Sequence, residues 1–183
     1  QVDFCLSSIG EVYPQQADNI KAMEYLKKST KVANEIDDKS DIAACLSSLA
    51  DIYNVEADYI KALEYYQQAI KIDKELEDES DIAYSYVGMG DIYKEEKDYP
   101  NSLNSYKLGM NIAQKTDDKG LYNTCLKLIG EIHREQGNYA EALNYYNRVI
   151  TLANQIQDDD NQSGAYYDMG EVYSLLQDDK EAL

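Results

Sequence analysis

Apolar positions recur at helical spacing along this chain, and polar breaks interrupt them at regular intervals. Ile42, Leu46, Leu49 and Tyr53 follow one another at four, three and four residues, which lays one apolar stripe along a helix. Leu63, Tyr66 and Ile70 lay a second stripe, broadened by Ala62, Ala69 and Leu76. A short polar break, residues 54–58, separates the two, and it returns as KEEKD at 94–98 and REQGN at 134–138. The pattern predicts a helical hairpin, written several times over.

The last position of each break is Asp18, Asp58, Asp98, Asn138 or Asp178, where a side-chain oxygen is placed to accept from the free N–H groups of the next helix. Asn138 with Glu141, and Asp178 with Glu181, add an acid three residues on, the spacing of a capping box. Pro100 falls in the first helical turn, where its missing N–H costs nothing. Gly137 is suited to a left-handed helix end, whereas Ala57 and Lys97 take that conformation at greater cost, so those ends are less sharply placed.

The hairpins share one period. Gly10, Ala50, Gly90, Gly130 and Gly170 lie 40 positions apart, as do Tyr13, Tyr53, Tyr93, His133 and Tyr173. Residues 5–44 and 45–84 agree at 19 of 40 positions, which is internal duplication rather than low complexity. The units are 5–44, 45–84, 85–124 and 125–164, with a partial unit at 165–183. The small residues are expected to meet Ala22, Ala62, Ser102, Ala142 and Ala182, letting antiparallel helices approach to about 8 Å. Tyr65, Tyr66, Tyr145 and Tyr146 fill the space around that crossing. One pair of helices cannot bury its own apolar face, so neighbours must stack.

These residues resemble the tetratricopeptide repeat. The fourth unit carries the pattern best, with Ile129, Gly130 and His133 on the first helix, Gly137, Asn138 and Tyr139 at the turn, and Ala142, Tyr145 and Tyr146 on the second. The likeness runs through the whole chain. It departs from the commoner pattern in its 40-residue period and in lacking the proline that closes the second helix, features similar to the extended repeats of LGN-type adaptors and bacterial signalling proteins. The resemblance implies an all-α, right-handed superhelical solenoid of antiparallel helix pairs. It also implies a protein or peptide partner held in a concave groove.

The groove residues follow from that resemblance. Glu11, Asp51, Asp91, Glu131 and Glu171 come directly after the small residue, a position that faces the groove in the family. One turn earlier stand Ser7, Ser47, Val87, Lys127 and Tyr167. Members that clamp a peptide carboxylate place Lys there and Asn or Arg at the acid position; only Lys127 matches, so an acidic C-terminus is a poor fit. Asn54, Lys94 and Arg134 lie one turn after the acids, the two cations being expected partners of Asp91 and Glu131. Lys127 is one turn before Glu131 and is placed to pair with it. Tyr84 and Tyr167, near the starts of first helices, vary between units and are expected groove contacts or packing residues.

Charge narrows the partner. Seventeen Lys and Arg against 35 Asp and Glu give a net charge of −18, which argues against nucleic acid and anionic membranes. Residues 45–84 hold 3 basic and 10 acidic side chains, so the second unit is the acidic centre. The acids form either a solvated face or a surface for a partner with basic or polar side chains. No apolar run is long enough to span a membrane.

Nothing in the sequence writes a catalytic site, a phosphate loop or metal-ligand spacing, and no cofactor is expected. His133 replaces the repeat tyrosine and is expected to pack. Cys5, Cys45 and Cys125 share one repeat position, too far apart to bridge or to share a metal, and are expected to be packed thiols, which favours a cytoplasmic setting. The chain begins inside a first helix and stops early in a second, so a longer parent is expected. The reading is a single repeat domain that holds a partner. The alternative is a structural or self-associating array, a spacer or sensor in a larger, bacterial signalling type of protein.

Overall fold

The computed structural model describes residues 16–181, with side chains described for residues 19–177. Among the described residues all regular structure is α-helical: α1 (Gln16–Glu35), α2 (Lys39–Val55), α3 (Tyr59–Leu76), α4 (Glu79–Glu95), α5 (Tyr99–Lys115), α6 (Lys119–Glu135), α7 (Tyr139–Ile156) and α8 (Asp159–Glu181). Helices α2 to α7 are 17 or 18 residues long, about 26 Å each. None of the described helices is long and apolar enough to cross a membrane.

Every turn between these helices is built the same way. Asp37, Ala57, Glu77, Lys97, Asp117, Gly137 and Gln157 all have φ between 56° and 73°, and each is 20 residues from the next. The backbone N–H of the following residue then reaches the carbonyl five positions back, from Asp38 to Ala33 through Asp158 to Ala153, at 2.8–2.9 Å. This is the Schellman closure of a helix end. Six of the seven residues do not have glycine's freedom, and each left-handed residue costs about 1 kcal/mol, offset by the closure bond and the packing of both helices. Ala57 and Lys97 therefore end their helices at the same register as Gly137.

The residue that closes one helix also caps the next. Asp38, Asp58, Asp78, Asp98, Asp118 and Asp158 accept from the backbone N–H three residues on, at 2.9–3.3 Å. Asp58 and Asp98 are the caps expected from the sequence; Asp38, Asp78, Asp118 and Asp158, which join one hairpin to the next, were not anticipated. Asn138 departs from expectation: its side chain makes no cap bond, and its amide turns to Gln136 Oε1 at 3.3 Å, so the capping box with Glu141 is not formed. Pro100 lies in the first turn of α5, as expected.

The break expected before Asp178 is absent, because α8 runs unbroken to Glu181. Glu11, Cys5, Tyr13 and Asp18 lie outside the residues whose side chains are described.

The chain divides into two compact units, residues 1–92 and 93–183. In the first, Leu26, Cys45 and Leu49 are buried together under Met23, Ile52 and Tyr65. In the second, Leu126, Ala142, Tyr146, Val149, Ala165 and Val172 form the core. The close crossing expected at the small residues is clear at Gly130, where a Cβ would lie 2.8 Å from the Tyr146 ring and 3.2 Å from the Tyr145 Cβ. The thiols of Cys45 and Cys125 are buried, as packed thiols should be.

His133 packs where the other units carry tyrosine. It stacks on Tyr145 with ring centres 5.5 Å apart, just as Tyr53 stacks on Tyr65 at 5.4 Å. Burial pushes its imidazole below the usual histidine range, Glu141 pulls the other way, and Lys107 adds to the depression.

Candidate functional site

Helices α2, α3 and α4 enclose a cleft of about 470 Å³ in the first unit. It brings together Ser47, Asp51 and Asn54 from α2 with Tyr84, Val87 and Asp91 from α4, all six being groove residues named from the sequence. The helical periodicity explains the gathering: Ser47, Asp51 and Asn54 are four and three residues apart, and Tyr84, Val87 and Asp91 three and four, so each trio is one stripe.

Tyr66 of α3 supplies the floor. It is 3% exposed, and its hydroxyl donates to Asp51 Oδ1. Burial pushes the phenol above its ordinary value, and the Asp51 and Asp91 charges push the same way, so it stays a proton donor. Asp51 keeps contact with water but is closely surrounded by protein. That enclosure pushes its carboxyl above the usual range, and the Tyr66 hydrogen bond pulls it partway back. Gly88 completes the cleft, for any side chain there would strike the end of the Tyr66 ring. Ser85 borders the same space; it is 2% exposed, and its hydroxyl makes no hydrogen bond. Tyr84 stands at the rim, largely exposed.

The second unit arranges the corresponding positions differently. Lys94 Nζ lies 2.5 Å from Glu131 and 3.9 Å from Glu135. Arg134 pairs with Glu171 and lies 3.7 Å from Asp168 Oδ1, and Lys127 Nζ lies 3.9 Å from Asp168 Oδ2. Each cation thus reaches forward by 37 residues, from Lys94 to Glu131 and from Arg134 to Glu171. The expected pairing of Arg134 and of Lys127 with Glu131 is corrected: Lys94 already occupies that carboxylate, and α8 offers fresh acids. Asp168 is 8% exposed; burial pushes its carboxyl up, against the pull of Lys127 and Arg134. Tyr167 stands on α8 with most of its surface exposed.

Sequence reasoning missed four members of these sites: Tyr66 as a donor, Gly88, Ser85 and Asp168. Gly88 carried a signal, since the same register holds Ser48, Leu128 and Asp168 in the other units. Among the described residues, no group of three or more His, Cys, Asp or Glu has the arrangement of a metal site.

A family model for the tetratricopeptide repeat matches residues 4–75, 81–155 and 125–183. The chain belongs to the tetratricopeptide-repeat family. Solved structures agree on the tetratricopeptide-type solenoid fold. BtubC (BKLC) from P. vanneervenii superposes with a TM-score of 0.81 at 19% identity, covering 97% of this chain and 74% of that one. The signal transduction ATPase PH0952 from Pyrococcus horikoshii, which carries a tetratricopeptide repeat sensor, gives 0.78 at 17%, covering 92% and 26%. Aspartyl phosphate phosphatase F from Bacillus subtilis gives 0.77 at 19%, covering 86% and 42%. At these identities the likeness is one of fold. No curated protein sequence matches the chain. Tetratricopeptide repeats typically serve as protein-interaction scaffolds and bind proteins or peptides.

Proposed function

We propose that this tetratricopeptide-repeat chain is an interaction scaffold that holds a peptide segment of another protein against the first helices of its repeats, and that the segment is basic. The observation that carries this reading is the cleft of the first unit, where Asp51 has a phenol rather than a cation for a partner. Residues 45–84 carry an excess of seven acids, 10 against 3, which steers and retains a positively charged segment. No catalytic role is assigned.

The test is a displayed random-peptide library panned over the wild type and over the Asp51→Lys/Asp91→Lys variant. Peptides rich in Lys or Arg, enriched on the wild type and lost on the variant, are expected. Equal enrichment on both proteins, or none on either, overturns the reading.

A second reading, a self-associating array, draws on α8. Gly170 has nothing within 4 Å of where its Cβ would be, whereas the equivalent Gly130 is covered by α7. Tyr166, Tyr173 and Leu175 are exposed on the same helix. Light scattering over a concentration series separates the two, since a constant monomer mass removes this alternative.

A further inference from the structure

Helix α7 carries a face without acids. Its residues Asn144, Arg148 and Gln155 line a hollow of about 300 Å³, closed by Leu152 of the same helix and by Tyr122 and Leu126 of α6. No acid lines it, in a chain where 35 of 183 residues are Asp or Glu. The repeat shows how this face departs from its counterparts. The registers of Asn144 and Gln155 hold Glu24 and Glu35 in the first repeat and Glu64 and Glu75 in the second, and that of Arg148 holds Lys28, Gln68 and Leu108. Helices with Gln68 or Leu108 at this register form all the same, so the frame does not require an arginine there.

Arg148 is held by tyrosines. Its Nη2 donates to the Tyr122 hydroxyl at 3.2 Å, and its guanidinium carbon lies 5.1 Å from the centre of the Tyr145 ring. Among the described residues no carboxylate pairs with it, whereas the other arginine, Arg134, is tied to Glu171. The Tyr122 bond is also particular to this repeat, since the same register holds Ile42 and Ile82 in the two before it. One N–H of the guanidinium is used out of five, and the residue is exposed.

Going beyond the scaffold reading, we infer that this hollow takes one glutamate or aspartate side chain of a partner polypeptide, its carboxylate paired with the Arg148 guanidinium. The planar fork matches a carboxylate through two parallel N–H bonds. Asn144 and Gln155 bring amide donors to registers where Glu64 and Glu75 would repel the incoming charge. Leu126 and Leu152 offer apolar surface to the aliphatic stem. An arginine already held by two rings loses less rotamer freedom on binding than a free one. Asp117 and Asp118 line a separate hollow beyond Tyr122 and Leu152, beside Lys119. In about 0.15 M salt, charges are screened beyond about 8 Å, so the more distant acids of the chain oppose the contact only weakly.

The probe is a displayed library of short peptides, each with one glutamate and no Lys or Arg, panned in about 0.15 M salt over the wild type and Arg148→Gln. Peptides enriched on the wild type and lost on the variant are expected. One of them is then titrated into isotopically labelled protein, beside its Glu→Gln counterpart, and followed by backbone amide NMR. Shifts should concentrate at residues 122–126 and 144–155, with the glutamine peptide about three- to fivefold weaker or more. Gln155→Glu, which returns the acid of Glu35 and Glu75, should leave the protein folded and weaken the glutamate peptide by a similar factor. No enrichment, equal binding of the two peptides, or undiminished binding to folded Arg148→Gln overturns the assignment. The library and the variants differ from those that test the basic segment, so either reading can fail while the other stands.

Discussion

The end of the Tyr66 ring occupies the place that a Cβ on Gly88 would need, and from there its hydroxyl reaches back to Asp51. Glycine at 88 is therefore what allows the phenol to lie under the cleft. Gly88→Ala forces Tyr66 to move, at a cost of about 1–3 kcal/mol from overpacking. Urea denaturation should show the loss, and a basic peptide should bind the folded variant more weakly. Unchanged stability would mean that the ring has another place to go.

Arg134 ties two acids of α8, and it is sheltered, with 21% of its side chain exposed. Arg134→Gln should destabilise the protein by about 1–3 kcal/mol, because Asp168 is left buried with a weaker set of partners. Lys39→Gln breaks a pair whose side chains are 48% and 50% exposed, and should leave the urea midpoint close to that of the wild type. Measuring both urea midpoints in low and high salt makes the comparison, the Arg134 variant responding less to salt.

Asp73 occupies a position where the other units bury alanine: Ala33, Ala113 and Ala153. It is 1% exposed but covered by only a thin layer of protein, and Oδ2 makes no hydrogen bond. Burial pushes its carboxyl up to about 6, with Asp81 and Asp78 adding to the rise. The folded state holds this proton more tightly than the unfolded chain, so ionisation costs stability above about pH 6, and the cost disappears below about pH 4. Asp73→Ala should therefore stabilise the protein by about 1–2 kcal/mol at pH 7.5. The gain should shrink as the pH falls through 6 toward 4, a trend that thermal melts across the range would follow.

Gly137 alone among the seven turn residues escapes the cost of positive φ, and nothing lies within 4 Å of where its Cβ would be. Gly137→Ala should cost about 1 kcal/mol through backbone conformation alone, with no clash to relieve. Lys97→Gly, the reverse exchange in the same kind of turn, should gain up to about 1 kcal/mol, less the entropy added to the unfolded chain. Paired denaturation curves test both signs.

The helices, the period and the turn positions were legible because each is local. Stripes such as Ile42, Leu46, Leu49 and Tyr53 fix a helix face without reference to anything distant. That Ser47, Asp51 and Asn54 share one stripe was legible for the same reason, whereas a groove in front of that stripe is what the family resemblance implies. The forward ion pairs were not legible: Arg134 has acids within reach on its own helix and on the next, and apolar spacing does not choose between them. Nor was the Tyr66 to Asp51 bond, which depends on the ring passing over Gly88, 22 residues away in sequence. Asp73 was legible and was passed over, because the alanine at its register in the other units already marks it as a misfit.

The uniform turns make the chain a ruler with two scales. Its backbone repeats every 20 residues, at each left-handed position, while its side chains repeat every 40. Cutting at one such joint and rejoining at another always matches backbone to backbone. A removed or added length of 40 also keeps first helices next to second ones, whichever joint is chosen. A length of 20 would join the backbone just as smoothly and set like beside like, with glycine facing glycine and tyrosine facing tyrosine. Growth of such an array is thus permitted at any joint but only in whole hairpins, and the side chains, not the joints, keep the count.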